Sequence, residues 1–189
     1  MSLLITRVST LHIFSYFAET SGLVTAGLVL LVLAAGPVWA AQVNIVAVGA
    51  STTAGERVGS EGAYPAQLES MFRSKGYNVS IRNEGISGDT SLGMLGRIDS
   101  AAPAGTALVL LQIAHSNDSK RGITAAQTEA NAKAIVARLR ARNIRVIFVN
   151  RQVPSDNIAM DGRHPNADGQ KLIAARLLPQ VMASIGSHR

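Results

Sequence analysis

The sequence predicts an α/β fold in which a parallel, doubly wound sheet carries helices on both faces. Three observations carry that expectation. Four short segments, VNIVAV at 43–48, YNVSIR at 77–82, TALVLLQIA at 106–114 and IRVIFV at 144–149, have the length and the apolar or alternating pattern of strands. Stretches of helical periodicity separate them. The spacings suit helical crossovers between parallel strands better than tight hairpins.

Each element has a local reason. Val43–Val48 is a short apolar run stopped by Gly49. Tyr64–Lys75 places Leu68, Met71 and Phe72 at the spacing of an amphipathic helix, with Gly76 as its stop. Tyr77–Arg82 alternates as a strand does. Thr106–Ala114 is continuously apolar, as expected of a strand covered on both faces. Thr124-x-x-Gln127 is a capping-box pattern opening a long helix that runs to about Arg142. Ile144–Val149 is the fourth strand. Asn166 can cap a final helix whose Ile173, Leu177 and Val181 share one face.

The first forty residues are expected to lie outside this fold. Gly22–Ala41 contains no charge, Arg7 lies upstream, and the run ends in Gly36-Pro37-Val38-Trp39-Ala40. This is the pattern of an export signal cleaved after Ala40, which predicts a domain at 41–189 in an exported, periplasmic protein. A retained anchor facing the periplasm is the alternative, because twenty apolar residues can span a bilayer.

Composition narrows the chemistry. The chain of 189 residues has no cysteine and four histidines, so disulfides, thiolate nucleophiles and sulfur-based zinc sites are excluded. The formal net charge is +6, and it stays +6 without residues 1–40, which carry only Arg7 and Glu19. Such a balance is compatible with transient contact with an anionic membrane surface. Arg138, Arg142 and Arg145 form a basic face, read as a solvated helix end rather than a nucleic-acid site, since aromatics are few.

In a doubly wound sheet, ligands bind outside the C-terminal strand ends. The first such loop, GASTTAG at 49–55, sets Ser51 among small residues directly after a strand. It is neither a P-loop nor the GxSxG elbow, because Thr53 replaces the second glycine. The second, NEGISGDT at 83–90, holds glycines whose exposed amides could meet an anion. Its ordinary reading is a turn in which Asp89 or Thr90 caps a helix. The third is HSND at 115–118, where Asn117 could donate into a cleft or simply close a turn. The fourth, DGRHPN at 161–166, puts Asp161 three residues before His164, a spacing at which a carboxylate can orient an imidazole. With His12 in the export segment and His188 next to the C-terminus, only His115 and His164 remain as candidate bases. Each loop alone is weak evidence. Jointly they place Ser51, Gly88, Asn117, Asp161 and His164 along one sheet edge.

These four blocks resemble those of the SGNH/GDSL hydrolase family, over most of residues 43–181. The likeness is greatest to its bacterial exported thioesterase, arylesterase and lysophospholipase branch, and ISGDTS and DGRHPN are its most specific parts. The resemblance implies a flavodoxin-like three-layer α/β/α sandwich with four to five parallel strands. It implies a serine hydrolase of carboxylic esters or thioesters, with small acyl substrates and neither metal nor cofactor. Carried over, Ser51 is the nucleophile, His164 the general base and Asp161 its orienting acid. The Ser51 and Gly88 amides and the Asn117 side chain form the oxyanion hole. Tyr64, with Pro65, falls where relatives often line the site, although core packing is the stronger explanation for it, and His115 is a second candidate for contacting substrate.

The chain departs from the family pattern at three places. Ala50 replaces the usual Asp beside the nucleophile, and His115 replaces a Gly. The stretch from Asn117 to Asp161 is short, so the fifth strand is expected to be missing and the acyl-pocket wall thinner. These departures motivate an alternative reading, a non-catalytic or weakly active member that binds a sugar or acyl ligand.

Overall fold

The structure is a computed structural model that describes residues 41–186. The export segment, its cleavage site and the anchor alternative lie outside the described residues. In chain order the elements are β1 (Val43–Gly49), α1 (Ser51–Ala54), α2 (Tyr64–Ser74), β2 (Val79–Gly85), α3 (Ser91–Ala101) and β3 (Thr106–Leu111). They continue with α4 (His115–Lys120), α5 (Ala125–Ala141), β4 (Arg145–Phe148), a 3₁₀ turn at Ser155–Asn157 and α6 (Ala167–Ile185).

The sheet runs β2-β1-β3-β4 with every pairing parallel. Side chains alternate across it, as the pleat requires. Ile45, Ala47, Leu108 and Leu110 meet Leu68 and Phe72 of α2 and Ile173 and Leu177 of α6. Val46, Val48, Val109 and Leu111 face the other way, onto Met94 and Ile98 of α3 and Ile135 and Leu139 of α5. The result is a three-layer sandwich with two cores. The strand order reverses between β1 and β3, so the crevice at that switch point opens between the loops that carry Ser51 and Asn117.

Most predicted elements are present, with instructive shifts. Thr124 caps α5 through the full reciprocal box with Gln127, and the Asn166 side chain accepts from the Gly169 amide to start α6. β2 begins at Val79 rather than Tyr77, because its ladder with β1 starts at the Val43–Val79 pair and the Tyr77 amide still closes α2, donating to the Phe72 carbonyl at 3.1 Å. It then continues through polar Asn83 and Glu84, which pair in register with Ala47 and Val48. β3 stops at Leu111, three residues short of the apolar run. His115–Lys120, expected as a turn, is a short helix. Helix α3, of which the sequence marks only the cap at Thr90, is set by burial of Met94 and Ile98. Four strands are present among the described residues, and none pairs with the outer edge of β4. The segment after β4 carries only the 3₁₀ turn.

Candidate active site

Ser51 is the first residue of α1, immediately beyond β1, where a helix N–H has no intrahelical acceptor. Its position is fixed from beneath. The buried Gln112 side-chain oxygen accepts from the Ala50 amide at 3.1 Å. Gln170, fully buried on α6, accepts from the Tyr64 amide at 3.0 Å and donates to the Thr52 carbonyl at 3.1 Å. Asn83 donates to the Thr53 carbonyl at 2.7 Å. At Gly85 an added Cβ would lie 2.2 Å from the Ala54 nitrogen, so only glycine lets β2 approach α1 this closely.

His164 and Asp161 come from the turn ahead of α6. His164 Nε2 lies 2.9 Å from Ser51 Oγ, and its Nδ1 lies 2.6 Å from Asp161 Oδ2. The second carboxylate oxygen, Oδ1, accepts from the Arg163 amide at 2.9 Å and the His164 amide at 3.0 Å. Arg57 Nε also donates to Oδ2, at 2.8 Å. Foremost the imidazole contact, then the two amides and the Arg57 guanidinium, hold the Asp161 carboxyl well below the usual carboxylate range. Asp161 is therefore an acceptor in all four contacts. It can fix the imidazole with Nδ1 as donor and Nε2 facing the serine as acceptor.

Asn117 lines the same small cleft as Ser51 and His164. One amide hydrogen goes to the Asp89 carbonyl at 2.9 Å, which leaves the other available to the cleft. Its neighbour Asp118, 1% exposed, accepts from the Ser91 amide at 2.7 Å and the Thr128 hydroxyl at 2.6 Å. That carboxylate clamps α3, α4 and α5 around Asn117. Gly88 sits in the turn after β2 with φ +79°, so its glycine is demanded by backbone conformation rather than space. It is not among the residues lining the Ser51 cleft.

A larger cavity of about 850 Å³ adjoins this cleft beside β4 and shares Ser116, Arg151 and Arg163 with it. Ile113, Phe148, Val153 and Ile158 supply apolar wall, and His115 lines this cavity rather than filling the cleft at Ser51. The expectation that Tyr64 contacts substrate is corrected. Tyr64 is fully buried in the α2–α6 core with its hydroxyl 3.2 Å from Thr53 Oγ1, and burial pushes its phenol well above the usual value.

Several residues of this site are not evident from sequence. Gln112 and Gln170 were detectable in principle, as polar residues at the end of an apolar strand and on the buried face of a helix. Arg57 carries no such signal: its contact with Asp161 spans 104 positions.

The model of the GDSL-like lipase/acylhydrolase family matches residues 47–175, more than half of the chain. The chain belongs to this family. Esterase TesA of Pseudomonas aeruginosa is 31% identical over 116 residues, covering 61% of this chain and 57% of that protein. Thioesterase 1/protease 1/lysophospholipase L1 of Escherichia coli K12 is 31% identical over 117 residues, covering 62% and 55%. The chain thus spans little more than half the length of these two relatives. The crystal structure of TesA superposes with a TM-score of 0.66 at 22% identity, over 74% of this chain and 98% of that one, which shows a shared fold.

Proposed function

We propose that this family member is a serine hydrolase of carboxylic esters or thioesters. The observation that carries the reading is the continuous relay from Ser51 Oγ to His164 Nε2 at 2.9 Å and from His164 Nδ1 to Asp161 at 2.6 Å. In this reading Ser51 Oγ attacks the acyl carbon while His164 Nε2 takes the hydroxyl proton. The Ser51 amide and the Asn117 side chain, both at the cleft, stabilise the oxyanion, and the family resemblance adds the Gly88 amide, which lies outside the cleft lining; one such donor typically contributes about 100- to 1000-fold. His164 then returns the proton to the leaving alcohol or thiol, and water hydrolyses the acyl-enzyme by the same route. The adjoining cavity, apolar along Ile113, Phe148, Val153 and Ile158, receives the acyl chain or the leaving group, with His115 at its wall.

The names of the relatives, an esterase and a thioesterase/protease/lysophospholipase, support acyl-bond hydrolysis, the first naming esters and the second thioesters. Gln112 supports the nucleophile turn where Ala50 removes the family's carboxylate, and His115 leaves the serine accessible. Both weaken the alternative of a non-catalytic binder. We also read residues 1–40 as an export signal, placing the domain in the periplasm; N-terminal sequencing of the exported protein tests this.

The purified full-length chain should release 4-nitrophenol from short-chain esters, and Ser51→Ala should abolish that release. Activity surviving the substitution would sink the assignment.

A further inference from the structure

The geometry points to a substrate preference that rests on the hydrolase reading: the ester cleaved here carries an anionic group close to the scissile bond. Lys120 at the end of α4, Arg151 just beyond β4 and Arg163 beside His164 are exposed cations from three separate segments, and all three line the cleft that holds Ser51. Among the described residues, no carboxylate lines that cleft. None of the three is in an ion pair among the described residues; Lys75, Arg121, Arg140, Arg145, Lys171 and Arg176 share that state elsewhere on the surface, and what sets Lys120, Arg151 and Arg163 apart is that they line one cleft.

The nearby acids are already engaged. Asp161 is held by His164 and Arg57, and Glu129, the one carboxylate lining the adjoining cavity, is paired with Lys133 at 2.7 Å. Arg151 reaches only the Arg163 carbonyl, at 3.3 Å, which leaves both guanidinium charges uncompensated. Unpaired cations converging on a concave, partly apolar site focus a positive potential there. A neutral ester gains from it only at the oxyanion of its transition state, a gain every ester shares. An ester bearing a carboxylate or phosphate gains charge-assisted contacts in the bound state.

An exposed charge pair contributes about 1.4- to five-fold, so three acting together favour an anionic ester by roughly three- to a hundred-fold at low salt, with tenfold as the central expectation. Salt should erase most of that gain, because the screening length falls from about 10 Å at 0.1 M to about 3 Å at 1 M.

The test compares 4-acetoxybenzoate with its neutral methyl ester on the full-length chain, each hydrolysed with one water to acetate and the phenol. The expected result is a kcat/KM ratio of about ten or more in favour of the anion, carried by KM and collapsing in 1 M NaCl. The triple variant Lys120→Gln, Arg151→Gln, Arg163→Gln should bring the ratio to about one. The ratio is informative even where a variant loses activity against both esters. Using 4-acetoxyphenyl phosphate as a third substrate tells the two anion sources apart, with the faster of the two anionic esters naming the group. Equal turnover of both benzoates by the natural chain, or a preference that survives the triple variant, would overturn the inference. Failure of the hydrolase reading is separately visible as no turnover of either ester. In that case calorimetric binding of 4-acetamidobenzoate against its methyl ester decides the charge preference without catalysis, and equal affinities would refute it.

Discussion

Replacing Asp161 by Asn is the most searching perturbation of the proposed relay. All four contacts of the carboxylate are with donors: the Arg163 and His164 amides on Oδ1, and His164 Nδ1 and Arg57 Nε on Oδ2. An asparagine has only one oxygen to offer. The two amides, fixed in the backbone of the turn, hold that oxygen, so the new NH₂ faces the imidazole at the former 2.6 Å contact. Nδ1 must then accept, the ring proton moves to Nε2, and the nitrogen 2.9 Å from Ser51 Oγ becomes a donor. A serine facing an N–H has no base. The same tautomer change in a serine protease triad costs about 10⁴-fold in kcat, equivalent to about 5.5 kcal/mol at 1.36 kcal/mol per decade. Arg57 is more than half exposed and regains water when it loses its partner, so the fold should survive. The measurement is kcat for a neutral 4-nitrophenyl ester, alongside circular dichroism to establish that the variant is folded. A folded Asp161→Asn protein within about tenfold of the natural rate would refute this account of His164.

Three further outcomes follow from the same structure. Because the Asp161 carboxyl is held below its unfolded value of about 3.9, it contributes stability above that pH and loses it as pH falls towards the depressed folded value. Melting temperature should therefore fall less between pH 5 and 3 in Asp161→Asn than in the natural chain, and identical slopes would contradict the linkage. Asp118→Ala removes a buried carboxylate that accepts from Ser91 and Thr128, at an expected cost of about 2–4 kcal/mol in urea unfolding; a change under about 0.5 kcal/mol would refute the clamp. Gly85→Ala sets a methyl against the backbone of α1 and should cost about 1–3 kcal/mol and depress kcat by displacing Ser51, whereas a silent substitution would refute the close approach.

Much of the fold is legible in the chain because it rests on local chemistry. Apolar runs one sheet-width long mark β1, β3 and β4. The Thr124–Gln127 box and the Asn166 cap begin α5 and α6 where the sequence places them. The elements that were shifted or missed depend on distant partners. β2 runs through polar Asn83 and Glu84 because β1 supplies a ladder beside them. The HSND segment is helical because Asp118 finds donors on α3 and α5. Tyr64-Pro65 allows two readings in sequence, a binding wall or, the stronger one, core packing, and the structure decides for the core.

By itself the sequence determined the layered α/β class, the order of the motif loops and the identity of Ser51, Asn117, Asp161 and His164 as the residues to watch. These are properties of residue type and spacing, which the chain carries without folding. Only the tertiary structure decided that Ser51 and His164, 113 positions apart, meet at 2.9 Å. It alone placed Arg57 on the carboxylate, Gln112 beneath the nucleophile turn and three unpaired cations around the cleft. Distances between residues far apart in the chain are set by how two cores pack on one sheet, and no local pattern encodes them.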